Sequence, residues 1–550
     1  MADRVSRRAV LGGALVGGAL VAGWIIWPRQ HLPNLAAAPG EHIFNGYVKI
    51  GRDGHVTVIA PQAELGQGSY TIVAQIVADE LGADWRTIAV EPAPVNLYYA
   101  NRLVSRDWKT GYLPEADFQV TGGSSTLRAF LLPLREAAAA ARVMLCKAAA
   151  RRWDASWEAC FSEDGFIIRG KDRVRFGDLV EEAADQSVPD PVPLRLGGKR
   201  LAGRGVSRLD VAAKLDGSAT YTADVRLPDM VFAAVRQGPI GDSKLLGINR
   251  KAGFAIPGVI DVVEQPTWVA AVADTWWAAN RALDSMKPRF ATQGGLVDDT
   301  LVSKALGVAL KTVGSRIYET GKPDVVMATG KPVQRVYDAG FAAHLALEPI
   351  AATAVLDQGH MQVWIATQLP GAAATAAARA TGLNEEAITI HVMQAGGSFG
   401  RKYEVEAAAQ VALLAQKLKR PVQLLWSRAE DVMQDRFRPA ARAVMRATLG
   451  RARIDGFHAV IATGNAIAEV KARNLNGIAA HQAASDSASP LAVEGAYPPY
   501  AIAAVAVDHH PAALRVPTGK LRGGAGGFNC FFVESFIDEC ARETGVDPFS

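Results

Sequence analysis

The sequence predicts an α/β protein, or α+β once its antiparallel hairpin is counted, assembled from several domains. Three observations carry this expectation. A strand-like run, a glycine loop and a helical stretch follow one another twice in the first 150 residues and again near residue 390. A Pro/Gly-rich, basic stretch at 186–208 separates two such regions. The length of 550 residues exceeds what one hydrophobic core ordinarily serves.

The elements read in order as follows. Ser6-Arg7-Arg8-Ala9-Val10-Leu11 leads into an apolar run that ends at Trp27. Paired arginines before a short apolar stretch form a twin-arginine export signal, which places the protein in the periplasm or on the periplasmic face of the inner membrane. The run is just short of the ~20 residues that span a bilayer, so an uncleaved anchor stays open beside cleavage near Ala36-Ala37-Ala38. Phe44–Ile50 and His55–Ala60 alternate around Gly51-Arg52-Asp53-Gly54 and read as a hairpin. Apolar spacing predicts a helix over Tyr70–Leu81, then a strand over Thr87–Glu91 and an Ala-rich helix from about 126 to 152. Residues 40–185 thus make a first domain, and 186–208 a linker.

A small mixed unit follows at 209–295. Its expected strands are Ala219–Val225, Met230–Arg236, Val259–Val263 and Val269–Ala273, with a helix at Trp276–Ser285. The region 296–550 repeats the first theme: helix Ala372–Thr381, strand Ile388–Met393, a glycine loop, helix Glu404–Leu418, strand Val422–Trp426 and a helical stretch at 531–543.

Composition narrows the function. Hydrophobic residues at 49% and charged residues at 21% describe a globular chain. A net charge of +4 without a basic run gives nucleic-acid binding no support. Cys146, Cys160, Cys530 and Cys540 form no C-x-x-C or zinc spacing, so no Fe–S cluster is expected in this chain; buried free thiols are the expected reading, and disulfides, which an exported protein can form and the sequence does not pair, stay open.

Three loops carry the candidate chemistry. Gly66, Gln67 and Gly68 sit between a strand and a helix, where glycines let main-chain N–H groups approach an anion. An ordinary tight turn explains the same residues. Gly122, Gly123, Ser124 and Ser125 open the long helix and add hydroxyl donors, with the same ambiguity. Gly396, Gly397, Ser398, Phe399 and Gly400 hold a large aromatic between glycines, which suits packing on a flat ligand or lining a pocket. Arg401 and Lys402 are then available for phosphate or for packing. None of the loops fits G-x-G-x-x-G, so neither NAD nor FAD is expected. His344 and Glu348 are i, i+4 and read as a structural His–Glu contact, and His509-His510 as a solvent-exposed pair.

Together and in this order, these segments resemble the molybdenum hydroxylase (xanthine dehydrogenase/aldehyde oxidase) family, in the branch of the isoquinoline oxidoreductase large subunit. The resemblance includes Leu65–Gly68, Thr121–Ser124, Ala343–Pro349, Ala366-Thr367-Gln368, Gly396–Lys402, Trp426–Asp431 and Phe532–Glu539. It implies two molybdopterin-binding-type domains flanking a small α/β hammerhead domain at 209–295. Gly66, Gln67, Gly68 and Gly122–Ser125 would hold the pterin and its diphosphate. Gln368 would hydrogen-bond the apical oxo ligand of molybdenum, and Gly397–Gly400 would bring Phe399 beside the metal. Arg522 aligns with a pocket arginine. Ordinary polar or surface roles remain open for Gln368 and Arg522.

The implied cofactor is a molybdenum–molybdopterin dinucleotide, in its cytosine form. The implied reaction hydroxylates an aldehyde or an N-heteroaromatic substrate with water as oxygen donor. Electrons would pass to a small [2Fe-2S] subunit, with a cytochrome as a candidate final acceptor. The family's general base is a glutamate in a G-x-G-E segment that this sequence lacks, so the catalytic glutamate is expected beyond Ser550. A truncated, non-catalytic relative that keeps only the cofactor loops is the rival expectation.

Overall fold

A computed structural model describes residues 33–108, 117–197, 200–241, 243–292, 295–330, 332–476 and 487–548. The twin-arginine segment lies outside the described residues. Among the described residues, no helix is long and apolar enough to cross a membrane.

The first sheet runs in chain order: Glu41–Asn45, Val48–Gly51, Val56–Ala60 and Ile88–Pro92. The expected two-stranded hairpin is therefore divided. Asn45 accepts the Tyr47 N–H at 3.0 Å, a local side-chain turn that breaks Phe44–Ile50 into two strands. The third and fourth strands are parallel, with Val58 opposite Val90, and the helix Ser69–Leu81 forms the crossover. That helix is bounded by left-handed glycines, Gly68 (φ 87°) and Gly82 (φ 75°). It packs with the helix Thr126–Arg152 over a core that includes Val48, Val58, Val73, Val77, Leu134 and Leu145.

The 186–208 stretch has neither helix nor strand among its described residues, yet it is not a free linker. Asp79 receives the Leu201 N–H at 2.6 Å, the Ala202 N–H at 3.1 Å and the Arg200 guanidinium. Glu80 receives the Arg195 N–H and the Arg135 guanidinium. Two adjacent buried carboxylates thus fasten this segment to the Ser69–Leu81 helix.

A seven-stranded sheet follows, ordered Val259–Glu264, Trp268–Ala273, Val231–Gln237, Val422–Leu425, Ala351–Asp357, His360–Ile365, Ile388–Val392. Val231 pairs with Val422 in parallel, so the sheet of the 209–295 unit runs on without interruption into the later region. Alternation along Val231–Gln237 explains how one strand serves both. Ala234 faces a small core with Leu283 and Met286, while Val231, Ala233 and Val235 face the larger core with Ile365, Ala412 and Leu424. The expected strand at Ala219–Val225 is instead a short turn of 3-10 helix at Thr222–Asp224, drawn tight by Asp224 accepting the Tyr221 N–H at 2.9 Å.

The last sheet has five strands, ordered Ser315–Thr320, Ala504–Pro511, Arg453–Thr463, Ala441–Gly450, Val333–Ala339. The helix Gly526–Thr544 lays Phe528, Phe532 and Phe536 on it, against Ala443, Met445 and Phe457. His509 and His510 are buried here, contrary to the expectation of solvent exposure. The Ser489 N–H donates to His509 Nδ1, and His509 Nε2 faces the Thr463 carbonyl at 3.2 Å. Burial pushes His509 down to about 4, which keeps the ring neutral. All four cysteines are free thiols. Cys146 and Cys540 are buried as expected, whereas Cys530 is exposed.

Candidate functional site

Five segments far apart in sequence meet at one place. Gln62 Nε2 donates to the Val120 carbonyl at 2.9 Å, and the Ala63 N–H to Thr121 Oγ1 at 2.9 Å. The Ala395 N–H donates to the Glu64 carbonyl at 2.9 Å. The Thr121 N–H reaches the Gln368 carbonyl at 3.0 Å, and the Gln368 N–H reaches the Lys402 carbonyl at 2.8 Å. The Arg522 N–H donates to the Phe399 carbonyl at 2.7 Å. The glycine loops singled out in the sequence are therefore stitched into one surface, mostly by main-chain bonds.

The first loop is organised by a residue the sequence reading passed over. The Glu64 side chain is buried; its Oε1 accepts the N–H groups of Gly66 and Gly68, each at 2.9 Å. Its Oε2 accepts Ser69 Oγ at 3.2 Å and the Tyr70 N–H at 3.0 Å. Gln67 closes the turn, with Nε2 on the Ala63 carbonyl and Oε1 accepting the Leu65 N–H. The amides of Gly66 and Gly68 are thus taken up within the chain, while Gly66 and Gln67 form the exposed rim. A carboxylate just ahead of a glycine turn and a helix start was the available signal, since acidic groups are stabilised there.

The second loop needs its glycine for a close approach: a Cβ on Gly122 would stand 1.8 Å from Tyr403 Oη. Ser125 is buried and directs its hydroxyl to the Gly122 carbonyl, while Gly123 (φ 63°) and Ser124 (φ 49°) lie exposed. Gln368 is the hinge between loops. Its Nε2 donates to the Thr121 carbonyl at 2.8 Å, and its Oε1 accepts Ser398 Oγ at 2.5 Å.

In the third loop Gly397 (φ 92°), Phe399 (φ 59°) and Gly400 (φ 111°) are all left-handed. A phenylalanine is strained in that region, and this one is 38% exposed, so its ring is presented rather than packed away. The loop is held from beneath. Arg401 and Lys402 are each only 2% exposed, so neither is available for phosphate. Arg401 pairs with Asp431 at 3.1 Å and Lys402 with Glu348 at 2.8 Å.

His344 and Glu348 do not form the expected pair. His344 Nδ1 faces Asp435 Oδ1 at 2.7 Å, and Glu348 also accepts the Gly396 N–H at 2.9 Å. Burial raises Glu404, but the Arg473 guanidinium outweighs it and holds the carboxyl well below the usual carboxylate range. Arg522 has an exposed side chain at the rim beside Phe399.

A pterin fits this junction on two counts. Gln62 Oε1, Gln394 Oε1 and Glu348 Oε1 are buried acceptors without a partner, which suits a heterocycle that donates several N–H groups. The rim of Gly66, Gln67, Gly123, Ser124 and Phe399 is open, and a shallow cleft lined by Gln62, Gln119, Thr121 and Thr367 adjoins it.

Comparison with known proteins agrees. Residues 32–222 and 310–550 each match a molybdopterin cofactor-binding domain. The isoquinoline 1-oxidoreductase beta subunit of Brevundimonas diminuta is 26% identical over 94% of this chain and 70% of its own length. A nicotinate dehydrogenase chain of Pseudomonas putida is 29% identical over 91% of this chain and 42% of its own. Quinoline 2-oxidoreductase from Pseudomonas putida 86 shares the fold with a TM-score of 0.50 at 20% identity, covering 63% of this chain and 49% of that one. The chain therefore spans only part of the length of these relatives. Two cofactor-domain matches and a cofactor-shaped junction of glycine loops lead to one assignment: this chain belongs to the molybdenum hydroxylase family as a molybdopterin-binding large subunit.

Proposed function

We propose that the chain is the cofactor-binding subunit of an enzyme that hydroxylates an aldehyde or an N-heteroaromatic compound, taking oxygen from water. The observation that carries this reading is the convergence of the Gly66–Gly68, Gly122–Ser125, Gln368 and Gly396–Gly400 segments on one open rim. The bound group is a molybdopterin dinucleotide, in the cytosine form, and it supplies the two-electron redox chemistry. The chain's own residues bind and orient. Ser124, the free edge of Gly123 and the Gln67 rim face the phosphate-bearing part, Gln62 and Gln394 accept from the pterin, and Phe399 packs beside the reacting centre. Glu348 and Glu404 are committed to Lys402 and Arg473, so neither is placed to act as a general base.

Electrons leave through a separate [2Fe-2S] subunit and then to a cytochrome. The two curated relatives are each named as one component of a larger enzyme, which supports such a partner. The paired arginines Arg7 and Arg8 support export by the twin-arginine route to the periplasm. The deciding experiment is molybdenum content per chain by elemental mass spectrometry, followed by oxidation assays with the iron–sulfur partner present. About one molybdenum per chain and turnover of an aldehyde or heteroaromatic is the expected result. Molybdenum-free protein from a host that makes the cofactor overturns the proposal.

A further inference from the structure

The four thiols divide into two that are held apart and two that are in contact. Cys530 and Cys540 lie on one helix, Gly526–Thr544, where a rise of about 1.5 Å per residue separates them by about 15 Å. Cys540 is buried in the core beneath that helix, whereas Cys146 belongs to the separate core of the first domain. Cys146 therefore has one thiol within reach, that of Cys160.

Cys146 sits on the Thr126–Arg152 helix, and its thiol donates to the Cys160 carbonyl, 14 residues further on and 3.9 Å away. The chain reverses between the two. The Trp153 N–H returns to the Ala149 carbonyl, the Ala155 N–H to the Ala150 carbonyl at 3.0 Å, and the Cys160 N–H to the Trp157 carbonyl at 3.0 Å. Trp153, Trp157 and Cys160 pack half-buried on the core that holds Cys146, and Lys147 Nζ stands 5.9 Å from the centre of the Trp157 ring. The segment carrying Cys160 is thus laid along the helix carrying Cys146. Cys160 Sγ itself rests only on the Ser156 carbonyl at 3.9 Å, a weak contact for a thiol. Rotation about the Cys160 Cα–Cβ bond exchanges that contact for the Cys146 sulfur.

We infer that Cys146 and Cys160 are a disulfide-forming pair, a modification site that clamps the end of the Thr126–Arg152 helix to the small sheet beginning at Phe161–Glu163. The two thiols differ in access, which orders the steps. Cys146 is 1% exposed and burial pushes it up to about 12, so it stays protonated, whereas solvent reaches Cys160. The Cys160 thiolate attacks a sulfur of a protein disulfide carrier, which breaks the carrier's S–S bond and leaves a mixed disulfide. The Cys146 sulfur then attacks Cys160 Sγ, gives up its proton and displaces the second carrier thiolate. The pair loses two electrons and two protons, and the carrier gains both as a dithiol. The export proposed above leads to a compartment that supplies such carriers. The bond itself needs only the oxidised dithiol, so it stands or falls apart from the cofactor reading.

The test treats the folded full chain with glutathione disulfide, blocks free thiols with iodoacetamide and digests with trypsin without reduction. Peptides 143–147 and 153–169 are expected as one species, two hydrogens lighter than their sum. Closing this loop is expected to raise Tm by about 5 °C over the reduced chain. Cys160→Ser, at a half-buried position, is expected to keep the reduced chain's Tm and to lose both the linked species and the redox dependence. Cys146→Ala should do the same. Alkylated Cys146 in the oxidised chain, glutathione retained on Cys160, or linkage through Cys530 between two chains in place of the 143–147 link overturns the pair. So does an equal Tm in the oxidised and reduced chains.

Discussion

The Gly66–Gly68 loop and the Gly396–Gly400 loop bend alike and are held in opposite ways. The first is gathered by one buried carboxylate, Glu64, which takes two glycine N–H groups, a hydroxyl and the Tyr70 N–H. The second is closed by Ser398, whose carbonyl and hydroxyl accept the Arg401 and Lys402 N–H groups, and it stands on two buried ion pairs, Arg401 with Asp431 and Lys402 with Glu348. A loop held by its own neighbour in sequence is local and re-forms with the chain. A loop held by partners 30 and 54 residues away exists only once the later region has packed. The difference teaches that similar glycine signatures do not imply similar donors: the first loop has engaged most of its amides, while the third presents an aromatic ring.

The largest expected effect bears on the second arrangement. Lys402→Met strands Glu348 in the interior, and removing one partner of a buried pair costs about 3–5 kcal/mol. Urea unfolding should show that loss, and the double variant with Glu348→Met should recover most of it. A Lys402→Met protein as stable as the parent would show that the loop does not depend on its ion pairs.

Glu64→Ala removes the acceptor of five donors, the Arg208 guanidinium among them, some of which water can reach at the exposed rim, so about 3 kcal/mol is expected. Glu64→Gln keeps one acceptor oxygen and should lose less. Molybdenum content should fall with Glu64→Ala even in the folded fraction, because the rim of Gly66 and Gln67 loses its shape. Full cofactor loading in that variant would separate the first loop from the site.

A pH titration distinguishes the regions further. Glu430 is buried with Oε1 on the Gln237 N–H at 2.8 Å, and desolvation pushes it up to about 7 from an ordinary 4.5. Between those values the folded state holds a proton that the unfolded state has released. Its contribution is therefore greatest below pH 4.5 and falls as pH rises through 7, by up to about 3 kcal/mol. Hydrogen exchange in the Val231–Gln237 strand should quicken over that window while the Val56–Ala60 strand stays protected, and Glu430→Gln should abolish the trend.

The smallest effect expected is that of Gly122→Ala. Its Cβ meets the Tyr403 hydroxyl, and pushing that side chain aside costs about 1–3 kcal/mol. Tyr403→Phe should relieve part of the cost, which checks that the clash and not backbone strain is the cause.

The regular elements were legible because their periodicity is local. The helix read at about 126–152 is observed at Thr126–Arg152, and the strand read at Val269–Ala273 at Trp268–Ala273. Failures fall where a side chain reaches back to the main chain or across the fold. Asn45 divides the first hairpin, Asp224 turns an expected strand into a helical turn, and Glu404 delays its helix to Glu406 by reaching for Arg473.

By itself, the sequence determined which segments could bend around a ligand, because glycine best tolerates those angles and those close approaches. It also determined the family, because the loops occur in a recognisable order. Only the tertiary structure decided what each loop has left to offer. Glu64 engages the amides of the first, and Asp431 and Glu348 engage the cations of the third. The physical reason is that a hydrogen bond or ion pair goes to whichever group the fold brings within reach, and spatial neighbours 30 or more residues apart leave no period in the chain.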